Sequence, residues 1–470
     1  MAYFSHGYLC RSVTNSHDGR RESAFAISRR RCRLRSGMEV DMKIRFYNAR
    51  ILTMNGDCSL LEGELWTSDE RISYVGPAKE AEETAQIQWD RQIDCQGNVL
   101  MPGFKNAHTH SGMTAMRSFA DDMPLQDWLN TKIFPLEAKL TPQDNYDLTQ
   151  LAILEYLTSG VTSIFDMYLA PRDIAQSCVD MGMRCVLVAG LNNFCFSVRE
   201  LEKLYQELNH FNPLVSFELG AHAEYTCSRE LLEELSGLIH QYKAPFYSHM
   251  SETKLETEEC LARHGMTPPA FFDSLGMFDF GGGAYHACYF TEEDMELFAK
   301  KGLHIVTNPG SNMKLASGIA PVGRFVEKGI NVAIGTDGPS SNNCLDMFRE
   351  MFLVTGLAKL LQKDAAAMDA HEVLRMATVN GAHAMRLSDA DVLVEGKLAD
   401  LIMIDLHQPN MQPLNNITKN IVYSGSKQNV KLTMINGKVL YENGEFSNGV
   451  DAEKIYAKAN EIIERISAEA

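Results

Sequence analysis

The sequence has no run of about 20 apolar residues, the length needed to cross a bilayer. Its start lacks the charged, apolar and small-residue series of a secretory signal. No CxxC pair occurs either. The 11 cysteines are scattered singly through 470 residues, which excludes a zinc ribbon or redox dithiol and fits reduced, buried thiols. Basic charge is scarce: 44 Lys and Arg against 61 Asp and Glu leave a net charge of -17. That is the wrong sign for a phosphate-binding groove, so neither nucleic acid nor a membrane is expected as a partner, and a small molecule fits better. These absences describe a soluble, cytoplasmic protein. A hydrophobic content of 45% supports a large core, and the length calls for one big domain plus a smaller one.

Residues 1–41 have a different character. They hold eight Arg, no Lys and four acidic residues, a surplus of four positive charges that leaves -21 on residues 42–470. A transit peptide would be Arg- and Ser-rich, but Asp18 and Glu22 sit badly with one. This segment is expected to be a disordered or spurious extension.

From Met42 onward, short alternating stretches at 43–52, 71–76 and 92–95 read as strands with no helix between them. A matching set returns at 398–405 and 430–441. Both chain ends are therefore expected to build one small β-sandwich, from 42–98 and 388–450, with a C-terminal helix at 451–470. The middle, 99–387, alternates apolar strands with helical stretches, the pattern of a parallel sheet in an α/β fold. Eight strands are expected at 99–107, 161–167, 184–190, 216–221, 245–248, 283–286, 304–307 and 332–335. Helices such as 148–157, 230–242, 292–301 and 322–328 fall between them. Eight such units match a (β/α)8 TIM barrel. The competing doubly wound sheet lacks support because no GxGxxG follows the first strand.

Catalytic groups of such barrels stand at the C-terminal ends of the strands. Here those ends carry His108 and His110, His222, His249, His286 and Asp337. His108 and His110 are two apart, so both imidazoles face the same side of a strand and can grip one metal; His249 supplies a third nitrogen and Asp337 completes the set. Glu252 lies three residues beyond His249 and reaches the site only if the chain turns off the strand. A carboxylic acid there can protonate a ring nitrogen and pass a proton to a leaving amine. His286 is expected to hold and polarise the attacking water opposite Asp337. No Lys occurs on the fourth strand to bridge two metals, which favours a single divalent ion.

The segments Pro102-Gly103-Phe104-Lys105-Asn106-Ala107-His108-Thr109-His110, His249-Met250-Ser251-Glu252-Thr253, Ser311-Asn312-Met313-Lys314-Leu315 and Gly335-Thr336-Asp337-Gly338 resemble the amidohydrolase superfamily. Within it, the resemblance is closest to the 5-methylthioadenosine/S-adenosylhomocysteine deaminases and covers 42–450. It implies Zn2+, with Fe2+ as the other candidate, and a homo-oligomer. It also implies hydrolytic conversion of an adenine-type base to hypoxanthine with release of ammonia. By position, Glu137 would bind ribose hydroxyls, His222 would contact the substrate, and Arg199 would grip a substrate carboxylate. Glu252 and Asp337 would touch the base and the attacking water. The segment 111–143, with Met113, Met116, Phe119, Met123, Trp128 and Phe134, is expected to cover a flat base. The alternatives are a guanine, pterin or triazine aminohydrolase on the same metal core, or a catalytically dead scaffold, whose signature of lost ligands is missing.

Overall fold

The computed structural model describes residues 42–56 and 59–468; the expected N-terminal extension lies outside them. Eight strands form one parallel sheet in sequence order: Phe104–Thr109, Val161–Met167, Arg184–Val188, Val215–Ala223, Phe246–Met250, Gly282–His286, His304–Thr307 and Asn331–Ile334. The second and third are buried along their whole length, as strands covered on both faces must be; the third is apolar after Arg184, whereas the second buries Thr162, Ser163 and Asp166 among its apolar residues.

Several helices between the strands begin where the sequence offers a side-chain cap. Thr141, Ser197, Thr253 and Thr291 each form a capping box with an acidic residue three positions on, satisfying amides that the first helical turn leaves unpaired.

The sheet returns on itself through a short seam between the eighth and first strands. Asp337 N–H donates to the His108 carbonyl at 3.0 Å. Next to it, Thr336 N–H donates to Asn106 Oδ1 at 2.9 Å, and Asn106 Nδ2 donates to Thr336 Oγ1 at 2.7 Å. The expected TIM barrel is thereby formed, with its predicted strands in place.

Several strand ends shift by one or two residues, and one expected strand differs in kind. The stretch 99–107 is two strands, not one: Val99–Pro102 belongs to a second, nine-stranded sheet and Phe104–Thr109 to the barrel. Gly103 separates them, where a Cβ would stand 2.0 Å from Thr162 Cγ2. The second sheet is mixed and is built from both chain ends, as expected. Its halves meet where Val99–Pro102 pairs in parallel with Lys43–Leu52 and antiparallel with Leu401–Ile404. The helix Ala452–Ala468 then packs back on the barrel, with Lys139 Nζ donating to the Ile466 carbonyl at 2.9 Å.

A buried ion pair pins the two sheets together. Arg184, opening the third barrel strand, donates to Asp400 through Nε at 2.6 Å and Nη2 at 3.1 Å, and Arg184 and Asp400 are 4% and 1% exposed. Burial alone would push the Asp400 carboxyl up; the Arg184 guanidinium, helped by Lys105, outweighs it and holds the group below its usual range. Because the folded value is depressed, this stabilisation is present above the ordinary Asp value of about 3.9 and is lost as pH falls below it. Asp400→Asn, which leaves the guanidinium buried without its counter-charge, is expected to cost about 3–5 kcal/mol. Urea denaturation at pH 7 measures this, and a loss under about 1 kcal/mol would contradict it.

Candidate active site

All the polar residues read at strand exits stand at the C-terminal mouth of the barrel. His108 lies in the first strand with His110 just after it, His222 in the fourth, His249 in the fifth and His286 at the end of the sixth; Asp337 follows the eighth. His108 Nε2 is 3.1 Å from His249 Nε2 and 3.7 Å from Asp337 Oδ1, and His110 Nε2 is 3.0 Å from the same carboxylate oxygen.

The far side of each ring explains its orientation. His249 Nδ1 donates to the His222 carbonyl at 2.7 Å and His286 Nδ1 to Asn312 Oδ1 at 2.7 Å, while His110 Nδ1 donates to the Met167 carbonyl. For His249 and His286 a proton fixed on Nδ1 leaves the Nε2 lone pair for the centre, the arrangement seen behind metal-bound imidazoles, whereas His110 also donates from Nε2 to Asp337. His108 is the exception, for its Nδ1 is buried without a partner among the described residues.

Two sets of ligand atoms lie within 4.8 Å of one another: His108 with His249 and His286, and His108 with His110 and Asp337. The structure thus gathers all four expected ligands, and it brings His286 to them as well. Imidazole nitrogens with a carboxylate suit a zinc-like divalent cation. Protonation favours the same reading for His108, His249 and Asp337, whereas His110, although desolvated, is raised to about 9 by its hydrogen bond to Asp337 and that carboxylate's charge. Burial, then crowding by neighbouring imidazoles, pulls His108 and His249 well below the usual histidine value. Asp337 is buried, yet its hydrogen bond from His110 and the surrounding imidazoles hold it well below the ordinary Asp range. Neutral imidazole and ionised carboxylate are the forms that bind metal.

Asp337 is further fixed by partners that sequence reasoning missed. Its Oδ2 accepts from Ser311 Oγ at 2.6 Å and from Ser341 Oγ at 2.9 Å, and its Oδ1 accepts from Gly338 N–H at 2.8 Å. Ser311 sits in a segment that carries the superfamily resemblance and Ser341 lies three residues beyond another, but a hydroxyl in a loop gives no sign of where it points.

Glu252 enters the site as expected, by a turn off the strand. Ser251 adopts φ +50°, and Glu252 then lies buried with Oε1 accepting from Ser317 Oγ at 3.0 Å and Oε2 3.8 Å from His286 Nε2. Burial raises its carboxyl above the usual value, against the opposing pull of His286. His286, Ala287 and Asp337 also have left-handed backbones, at φ +72°, +52° and +60°. Such non-glycine conformations persist only where surrounding structure enforces them.

Glu137 is half-buried at the end of the helix Phe134–Glu137. Desolvation raises its carboxyl, opposed by the nearby Tyr168 hydroxyl and by His110, which puts it on the His110 side of the cluster. His222 pairs through Nδ1 with Thr226 Oγ1 at 3.2 Å, and burial pulls its ring down to about 4, so it is neutral at pH 7. Arg199 is not brought into the cluster. It stands exposed in the first turn of the helix Val198–Leu208 and, among the described residues, forms no hydrogen bond or ion pair with any of the others. The covering segment 111–143 is divided: Met113, Met116 and Trp128 are buried in the core, whereas Phe119 and Phe134 are 40% and 41% exposed. It is tied down by Lys314, whose Nζ donates to Asp121 Oδ1 at 2.6 Å.

Comparison with known proteins agrees with this geometry. Residues 99–440 match the amidohydrolase family. A 5-methylthioadenosine/S-adenosylhomocysteine deaminase of Syntrophomonas wolfei is 39% identical over 438 residues, covering 90% of this chain and 99% of that protein. The protein of the same name from Pyrococcus furiosus is 38% identical over 396 residues, covering 83% of this chain and 94% of that one. Among solved structures, an adenosine deaminase from Xanthomonas campestris with bound zinc superposes with a TM-score of 0.85 at 32% identity, covering 91% of this chain and 99% of that chain. With its barrel, its strand-end cluster and most of its length matched, the chain belongs to the amidohydrolase family.

Proposed function

We propose that the protein is a hydrolytic deaminase of adenine nucleosides, S-adenosylhomocysteine and 5-methylthioadenosine first among them, yielding the inosine analogue and ammonia. The observation that carries this reading is the meeting, at one barrel mouth, of a metal-type imidazole and carboxylate set with a buried Glu252 poised to hold a proton. The names of the relatives supply the substrate class. A guanine or triazine substrate is backed only by solved structures at 19% and 22% identity, which share the fold alone, a pterin substrate has no named relative among those compared, and a dead scaffold would have shed these groups.

His108, His110, His249 and Asp337 would hold one divalent ion, Zn2+ by the choice of ligands. When bound, such an ion supplies Lewis acidity that ionises water near neutral pH. Asp337, already ionised and anchored by Ser311 and Ser341, accepts the proton of the attacking water. His286, braced by Asn312, directs its free Nε2 at that water. Glu252 gives its proton to N1 of the adenine ring as C6 is attacked, then takes the hydroxyl proton from the adduct at C6 and passes it to the departing amine, so that ammonia leaves as a neutral molecule and the proton held by Asp337 restores Glu252. Neutral His222 offers Nε2 to the substrate. Glu137 accepts from the two ribose hydroxyls, an arrangement suited to a carboxylate with two oxygens. Arg199 meets the amino-acid carboxylate of S-adenosylhomocysteine at the pocket mouth, a bidentate contact that methylthioadenosine cannot make.

Purified protein should carry about one divalent ion per chain, because three imidazoles and one carboxylate make one four-ligand site. Elemental analysis returning two equivalents would refute this, and His249→Ala should lose both metal and activity. Glu252→Gln should keep its metal but lose turnover by at least about 100-fold; activity within a few-fold of the parent would assign the proton relay elsewhere. The function itself is tested by ammonia release from S-adenosylhomocysteine, methylthioadenosine, adenosine, guanine, cytosine and an aminotriazine, where turnover confined to the last three would overturn the adenine reading. In the same panel Arg199→Ala should lower kcat/KM for S-adenosylhomocysteine by about 1.5–3 kcal/mol and leave methylthioadenosine nearly unchanged. Equal losses on both would show that Arg199 does not read the carboxylate.

A further inference from the structure

Glu256 is a carboxylate that the chemistry above does not use. It lies in the first turn of the helix Lys254–His264 and is 5% exposed, and among the described residues no basic side chain pairs with it. Its partners are backbone amides. Ser251 N–H donates to Oε1 at 2.8 Å, and Glu252 N–H donates to Oε2 at 2.8 Å, with Thr253 N–H at 3.4 Å from the same oxygen. Thr253 Oγ1 in turn accepts from Glu256 N–H at 3.1 Å.

A capping box accounts for the bonds between Thr253 and Glu256. It does not account for the amides of Ser251 and Glu252, which lie before the cap and outside the helix. Those two amides flank the left-handed Ser251 turn that swings Glu252 off the fifth strand. The following strand exit leans on the same turn, since Tyr289 N–H donates to the Ser251 carbonyl at 3.0 Å. The two shorter contacts of the Glu256 carboxylate are thus to the residues that aim the proton carrier, and the longest is to the cap.

We infer that Glu256 is a positioning residue: its carboxylate clamps the Ser251–Glu252 turn and thereby sets the reach of the Glu252 side chain into the active site. An amide cannot replace it. Three N–H donors converge on its two oxygens, and a Gln side chain would present one of them with another donor. The clamp also places a second buried carboxyl beside Glu252, whose charge, after burial, is the chief influence raising Glu256, to about 7. The two groups are therefore close neighbours.

The inference rests on the deaminase reading for its activity measurements, so the test includes one that does not. Glu256→Gln, Thr253→Ala, Glu252→Gln and the double variant Glu252→Gln/Glu256→Gln are compared as metal-loaded proteins. Hydrogen exchange at residues 251–253 should quicken by about ten-fold or more in Glu256→Gln, as a local opening would produce. It should do so to a lesser degree in Thr253→Ala, which breaks only the cap. In Glu256→Gln, kcat should fall by about 10- to 100-fold with metal content kept and KM within about three-fold, as misplacing a proton carrier predicts. In the Glu252→Gln background the same substitution should cost less than about two-fold, because residues acting as one unit are not additive. Unchanged exchange, lost metal, an equal effect of Thr253→Ala, or a full multiplicative loss in the double variant would each overturn the clamp. If the parent deaminates no nucleoside in the panel, the deaminase reading fails by itself, and the exchange measurement alone decides for or against the clamp.

Discussion

The eighth barrel strand returns to the first through hydrogen bonds that also join two residues of the cluster. Asp337 donates its backbone N–H to the carbonyl of His108, with the Asn106–Thr336 bonds one step deeper in the barrel. The distance from the Asp337 carboxylate to the His108 and His110 rings is thus fixed by barrel closure, not by flexible side chains. Gly335 shows how tight this seam is, because a Cβ there would stand 2.8 Å from the His108 backbone and 2.4 Å from Asn308 Oδ1. Closure joins residues 230 positions apart, so the site cannot exist in a partly formed barrel.

The cluster works against the stability of the fold that makes it. His108, His222 and His249 are desolvated and crowded by neighbouring imidazoles, which holds them below the usual histidine range. Four non-glycine residues at or beside the cluster hold left-handed backbones, each costing roughly 1–3 kcal/mol. Such strain is tolerated at functional sites where neighbouring packing over-determines the geometry, here the barrel wall behind each strand exit.

Much of this was legible in the sequence, for reasons that also mark the limits. Short β-branched and apolar stretches between helical segments mark 161–167 and 304–307, whose bounds match the strands, and the capped helix 292–301 matches likewise. The histidines and Asp337 were found because each lies at the end of such a run. The stretch 99–107 misled because both of its strands are fully buried, and the break at Gly103 depends on Thr162, a contact distant in sequence. Ser311, Ser341 and Asn312 were missed because hydroxyls and amides occur in every loop, and only the folded backbone aims them. Arg199 was placed by analogy alone, and the structure leaves it exposed. The covering segment shows the same ambiguity, since an apolar residue reads alike whether it covers a ligand or fills the core.

The mixed sheet has a consequence for how the chain must come into being. Val99–Pro102 finds one neighbour, Lys43–Leu52, close by in sequence, but its other edge is covered by Leu401–Ile404, about 300 residues later. During synthesis the N-terminal strands therefore emerge with an open edge that stays open while the entire barrel is translated, and an unpaired strand edge invites pairing with other chains. A protein truncated before residue 401 would keep that edge permanently, however well its barrel closed. Production of this enzyme is thus exposed to stalled or nicked chains at a place far from its chemistry, and the last strands to be made act as the stopper that renders the first ones safe.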